Sequence, residues 1–160
     1  MQEEKELSKG CLTIRGTASR YLDRCEVDSD EIATRLSTME VMYAVVNNAV
    51  EATIAVELLR GEFYGEITAC TTGVPNHLVL RDSKVAGVMN NSTSVIQLLR
   101  SVVSVSLEEM LLVTVVAQTG DADCERTITF TPHINGGDAD AITLGVTKML
   151  VRVAWSLIRL

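Results

Sequence analysis

The sequence predicts an all-β fold, an antiparallel β-sandwich or barrel-like arrangement of about nine strands. Three observations carry that expectation. Apolar and polar residues alternate with period two nearly to the C-terminus, as they do in strands with one wet face. Turn-forming residues separate the alternating runs at short intervals. The interior must also be built from Val, Leu, Ile, Ala and Met, because aromatic residues make up only 4% of the chain.

Taken in order, residues 1–8 are charged and expected to be frayed, and residues 9–160 form one sandwich domain without an internal linker. Leu12, Ile14 and Gly16 alternate with Thr13, Arg15 and Thr17. Residues 24–36 are the expected place for one short helix or a long loop, because Asp28-Ser29-Asp30-Glu31 resembles a helix start. Met39, Val41, Tyr43 and Val45 form the next ridge. Asn47-Asn48 then offers two residues able to take positive φ, as a tight hairpin turn requires. Val50, Ala52, Ile54, Val56 and Leu58 face one way, with Glu51, Thr53 and Glu57 facing the other.

Arg60-Gly61-Glu62 leads into a strand over 63–70, and Thr72-Gly73-Val74-Pro75-Asn76 into Leu78-Val79-Leu80. The stretch from Val95 to Glu109 fits a helical or an extended period. Its β-branched run through Val102, Val103 and Val105 favours strand. Leu111, Val113, Val115 and Ala117 make another ridge, followed by Ile128 and Phe130 between threonines. Gly120-Asp121-Ala122-Asp123 and Asn135-Gly136-Gly137-Asp138 are expected turns. Met149, Val151, Val153, Trp155 and Leu157 close the chain.

At 160 residues, 47% of them hydrophobic and 22% charged, the chain has the composition of a globular domain that can bury a core without staples. Its formal net charge of −7, with no local run of Lys or Arg, argues against nucleic acid and against anionic membrane surfaces as partners. No stretch is long and apolar enough for stable membrane insertion. Cys11, Cys25, Cys70 and Cys124 are widely spaced and lack a C-x-x-C pair, and the N-terminus has no signal-like apolar segment. Reduced thiols and a cytoplasmic or nuclear location are therefore expected.

The sequence holds no catalytic constellation. His77 and His133 are the only histidines and both sit beside turn residues. No nucleophile elbow accompanies them, so they read as loop and surface side chains. Zinc would need several Cys or His ligands in convergence, which the spacing does not offer. Gly136-Gly137 lacks the lysine and the strand-to-helix setting of a phosphate loop. The one metal alternative is calcium held by the loop aspartates Asp121, Asp123, Asp138 and Asp140, with Asp82 ending a nearby strand. Against it, aspartate is equally suited to turns, where its carboxylate bonds local amides. Trp155 reads as a core aromatic, and Phe63-Tyr64 places one ring on each face of its strand.

Several segments resemble one family: Val50 to Val56, Phe63 to Ala69, Leu80 to Lys84, Val102 to Val105 and Val153 to Leu157. The chain from about Leu7 onward is similar to a grass domain of unknown function. That domain also occurs downstream of the ribosome-inactivating domain in large jasmonate-induced proteins. The resemblance implies a plant stress or defence setting, and it implies that the chain corresponds to the C-terminal part of such a domain. On that reading an edge strand near Leu12 to Tyr21 lacks its usual neighbour and is open to a partner strand or to dimerisation. Depurination of ribosomal RNA is not implied. Glu51-Ala52 is followed by Thr53-Ile54-Ala55 with no arginine, in a strand rather than a helix.

The expectation is a non-enzymatic interaction module without a cofactor, with a protein partner or a second copy bound at a strand edge. Calcium or lipid binding through the loop aspartates is one alternative. A fragment associated with a ribosomal RNA N-glycosidase, but lacking its own active site, is the other.

Overall fold

The computed structural model describes residues 27–33, 37–88, 95–119 and 122–157, except the side chains of Thr119 and Ala122. It is all-β, with eleven strands in three antiparallel sheets and one short helix among the described residues. The chain divides into two compact units, Met1–Asn47 and Asn48–Leu160. The expectations placed on residues 1–8, on Cys11, Cys25 and Asp121, and on the edge from Leu12 to Tyr21 fall outside the described residues.

The first unit contains β1 (Val27–Ala33) and β2 (Thr38–Ala44), paired antiparallel from Val27 opposite Ala44 to Ala33 opposite Thr38. Over 27–33 this corrects the helix or long loop expected at 24–36, the rest of which lies outside the described residues. The acidic residues that resemble a helix start are instead strand residues, because the ladder with β2 satisfies their backbone groups. The register sets Asp28 opposite Tyr43. The Tyr43 hydroxyl lies 3.1 Å from Asp30 Oδ2 and 3.4 Å from Asp28 Oδ2, and it donates toward this pair.

The second unit holds β3 (Ala49–Arg60), β4 (Gly65–Thr71), β5 (Leu78–Asp82), α1 (Ser83–Ala86), β6 (Val95–Ile96), β7 (Val102–Ser106), β8 (Leu111–Thr119), β9 (Ala122–Phe130), β10 (Asn135–Leu144) and β11 (Thr147–Leu157). One sheet runs β10-β11-β3, with β6 and β7 both paired to β3. The other runs β5-β4-β8-β9. Their inner faces share one core that includes Val50, Ile54, Val56, Met149 and Val151 from the first sheet and Ile67, Leu80, Val113, Val115 and Phe130 from the second. This is a sandwich with open edges, not a closed barrel.

Two expected turns behave differently. Asn48 does take positive φ, at 49°, but β2 and β3 belong to different sheets, β2 paired with β1 and β3 with β11. Asn135-Gly136-Gly137-Asp138 opens β10 and pairs with Ser156, Trp155, Ala154 and Val153 of β11. The glycines serve the strand itself. Gly136 has φ of 114°, and a Cβ on Gly137 would come within 3.1 Å of the Val153 carbonyl. Gly65 is similarly constrained, since a Cβ there would collide with the Val116 carbonyl.

Arg81 lies opposite Ile67, so it faces the interior rather than solvent, and it is 2% exposed. Its guanidinium donates to the Gln97 carbonyl at 3.0 Å and to the Gly87 carbonyl at 2.8 Å. Burial lowers its proton affinity, yet a guanidinium keeps its charge. Beside it, Leu99 N donates to Leu80 O at 2.7 Å, and Ile54 N donates to Ser101 O at 2.6 Å. The segment 97–101 is therefore bonded to both sheets. It splits what would be one edge strand into β6 and β7, which is the form the expected strand from Val95 to Glu109 takes.

Tyr43 yields a pH expectation. The hydrogen bond to Asp30 foremost, then desolvation and the two negative charges, raise its pKa above the ordinary 10.0. A raised folded pKa means its contribution is complete below the unfolded value and fades as pH climbs through the folded one. In an absorbance titration, the difference between wild type and Tyr43→Phe should place this phenolate above pH 10. A transition at or below 10 would show that the Asp30 bond does not persist in solution.

Candidate functional site

β9 and β10 are the outer strands of their respective sheets, and residues 131–134 carry the chain from one to the other. Along β10, Asp138 and Asp140 share the side of buried Ile142 and Leu144, and they lie opposite core residues Val153 and Val151. Both residues thus lie on the inner-face side of β10 at the open end of the sandwich, Asp138 half-buried and Asp140 exposed with its Oδ1 accepting from Ala141 N at 2.8 Å. Asp138 Oδ2 accepts from Trp155 Nε1 at 2.7 Å and lies 3.5 Å from His133 Nε2. The His133 and Trp155 rings meet edge to face, 6.4 Å between centroids at 89°. An open cleft of about 450 Å³ runs along this mouth, lined by Thr129, Phe130, Thr131, His133, Asp138, Ala139 and Asp140.

A base next to an orienting carboxylate is two-thirds of a hydrolytic triad, but the nucleophile is not aligned with it. The Thr131 hydroxyl, in the same cleft, turns 3.7 Å toward Met110 Sδ. Asp138 is committed to the indole, whose nitrogen would otherwise be buried without an acceptor, because Trp155 is only 4% exposed. An inward carboxylate on an outer strand also has a structural use. It prevents another chain from extending the sheet there.

A second cleft of about 210 Å³ lies against β4, β5, β8 and the start of β9, and includes Tyr64, Glu66, Asp82, Lys84, Gln118 and Asp123. Glu66 sits opposite Asp82, and Gln118 opposite Asp123. Asp82 is engaged as the cap of α1, its Oδ1 accepting from Lys84 N at 2.8 Å. Asp123, the second residue of β9, and Phe130, its last, are roughly 20 Å apart at strand rise. The structure therefore brings Asp138 and Asp140 together and puts Asp123 in a different cleft. Among the described residues, no group of three or more His, Cys, Asp or Glu is arranged to hold a metal ion.

The other singled-out side chains are placed as follows. His77 is exposed, with Nδ1 3.3 Å from Thr68 Oγ1. Cys70 is buried, which pushes its thiol pKa up, and Cys124 packs half-buried against the core. Cys70 is not in a disulfide. Phe63 is fully buried and Tyr64 half-buried.

Sequence reasoning missed the outer edge formed by β6 and β7. Val95, Leu99 and Val102 are 57%, 63% and 49% exposed there. β10 carries the inward Asp138, and β9 carries Asp123, Glu125 and Arg126. β7, with the sequence Val102-Val103-Ser104-Val105-Ser106, has no charge, proline or glycine. The available signal was that uncharged run, bracketed by Arg100 and Glu108.

Asp138→Ala should leave the indole N–H unpaired and lower unfolding stability by about 1–2 kcal/mol. The emission of Trp155, the only tryptophan, should shift at the same time. Denaturation followed by that fluorescence checks both, and an unchanged midpoint would mean the bond contributes nothing. Comparison with curated proteins and with solved structures returned no match. A family model described as a domain of unknown function (DUF6598) matches residues 1–153, and the chain belongs to that family.

Proposed function

We propose that this chain is a non-catalytic β-sandwich interaction module that recruits a protein partner. The observation that carries the reading is the apolar, uncharged edge at β6 and β7, where Val95, Leu99 and Val102 are exposed on an otherwise acidic chain. Exposed strand edges are templates for partner strands, and apolar rims add buried area to the backbone pairing. The polar groups best suited to chemistry have other duties. Asp138 holds Trp155, Asp82 caps α1, Arg81 bonds two carbonyls, and Glu109 accepts from Thr71 Oγ1 at 2.8 Å.

The setting we infer is plant stress or defence, in the cytoplasm, through the resemblance to the domain that follows the ribosome-inactivating domain in jasmonate-induced proteins. A net charge of −7 disfavours nucleic acid as the partner. Among the described residues, no helix is long and apolar enough to cross a membrane.

The test is affinity capture from stressed grass leaf extract, comparing wild type with Val102→Lys, each with and without a calcium chelator. The reading expects a stoichiometric protein recovered by wild type, insensitive to chelation and lost with Val102→Lys. Recovery that depends on calcium, or that is equal for both baits, would contradict it.

A further inference from the structure

We infer that the partner at this edge is a second copy of the chain, its β7 paired antiparallel with β7 about a two-fold axis at Ser104. This rests on the interaction-module reading and names the occupant of that edge. The backbone geometry sets the register. In the β3–β7 ladder, Ile54 N donates to Ser101 O and Leu107 N donates to Asn48 O. Hydrogen-bonding positions alternate along an antiparallel strand, so Ser101, Val103, Val105 and Leu107 direct their backbone groups to β3. Val102, Ser104 and the Ser106 N–H therefore face the open side, where β7 has no further strand among the described residues. The Ser106 carbonyl already accepts from Glu109 N at 3.1 Å and offers only its second lone pair.

Centring the pair on Ser104 sets Ser104 against itself and Val102 against the partner's Ser106. The Ser104 N–H and C=O of both copies then meet in hydrogen-bonding positions, and the Ser106 N–H of each meets the Val102 carbonyl of the other. The same register brings exposed Arg100 to the height of the partner's Glu108, and this occurs twice by symmetry. Charge decides in favour of this arrangement. Two copies at −7 each repel over most of their surface, so self-association needs an uncharged strip with opposite charges at its ends. β7 between Arg100 and Glu108 is such a strip. The aspartates of β10 and the charges of β9 disfavour the corresponding contact at those edges.

Sedimentation of the full chain over a micromolar concentration series tests the inference. Ser104→Pro removes an N–H that faces away from β3, so the sandwich should keep its circular dichroism and melting temperature. Wild type should be a dimer in this range, and Ser104→Pro should weaken it by at least about tenfold, the cost of losing the central bonds. Arg100→Glu should weaken it as well, and the double variant Arg100→Glu/Glu108→Arg should restore it. A monomeric wild type, a Ser104→Pro variant that dimerises as wild type does, or a double variant that does not recover would each overturn the inference. Should wild type be monomeric yet capture a different protein that Ser104→Pro loses, self-pairing is refuted while the interaction module stands.

Discussion

A guanidinium buried between two sheets is the constraint on which the rest of the sandwich depends. Taking a charge out of water costs several kcal/mol, and Arg81 has no carboxylate among the described residues to offset it. Its compensation is a pair of carbonyls, those of Gly87 and Gln97, from the segment that leaves one sheet and enters the other. Gly87 and Gln97 are thereby both tied to β5, and the Leu99–Leu80 backbone bond follows close to Gln97. Arg81 Nε and the buried Ser83 hydroxyl have no partner among the described residues, so the clamp is made by the two terminal nitrogens alone.

The clamp has consequences at the surface. Because 97–101 is drawn toward β5, β3 is covered by two short strands instead of one long strand. β7 is left as a five-residue edge, and the apolar side chains of Leu99 and Val102 remain outside. At the opposite edge the chain solves the same problem differently. Asp138 turns inward with exposed Asp140 on the same side of the strand, and the Trp155 indole bonds Asp138 so that the carboxylate stays in place. One edge is thus closed by charge and the other left neutral, an asymmetry that a binding role would use.

Much of this was legible in the sequence, because strand alternation reports burial directly. Val50 to Leu58 and Met149 to Trp155 have their alternate residues in the core, as the pattern implied. Leu157 departs from it, exposed at the end of β11. What failed were places where local chemistry and tertiary pairing disagree. Asp28 to Glu31 carries the marks of a helix start, yet a partner strand with Tyr43 claims it. Asn135 to Asp138 carries the marks of a turn, yet its glycines let β10 run close beside Val153 and Trp155. The site was less legible still. Arg81 follows the apolar Leu78-Val79-Leu80, and nothing local says that its side chain turns inward. The separation of Asp123 from Asp138 depends on the direction and length of β9, which spacing alone does not reveal.

The most direct test of this account is amide hydrogen exchange on Arg81→Met. Global stability would be ambiguous, because removing an uncompensated buried charge relieves desolvation while two carbonyls lose their donors. Local protection separates these effects. If the guanidinium clamps the crossover, the Leu99 and Ile54 amides should exchange at least about tenfold faster than in wild type, each factor of ten being about 1.4 kcal/mol. Amides in the centre of β4 and β8 should keep their protection. Unchanged protection at Leu99 and Ile54 would contradict the account, since the segment would then be held by its packing alone.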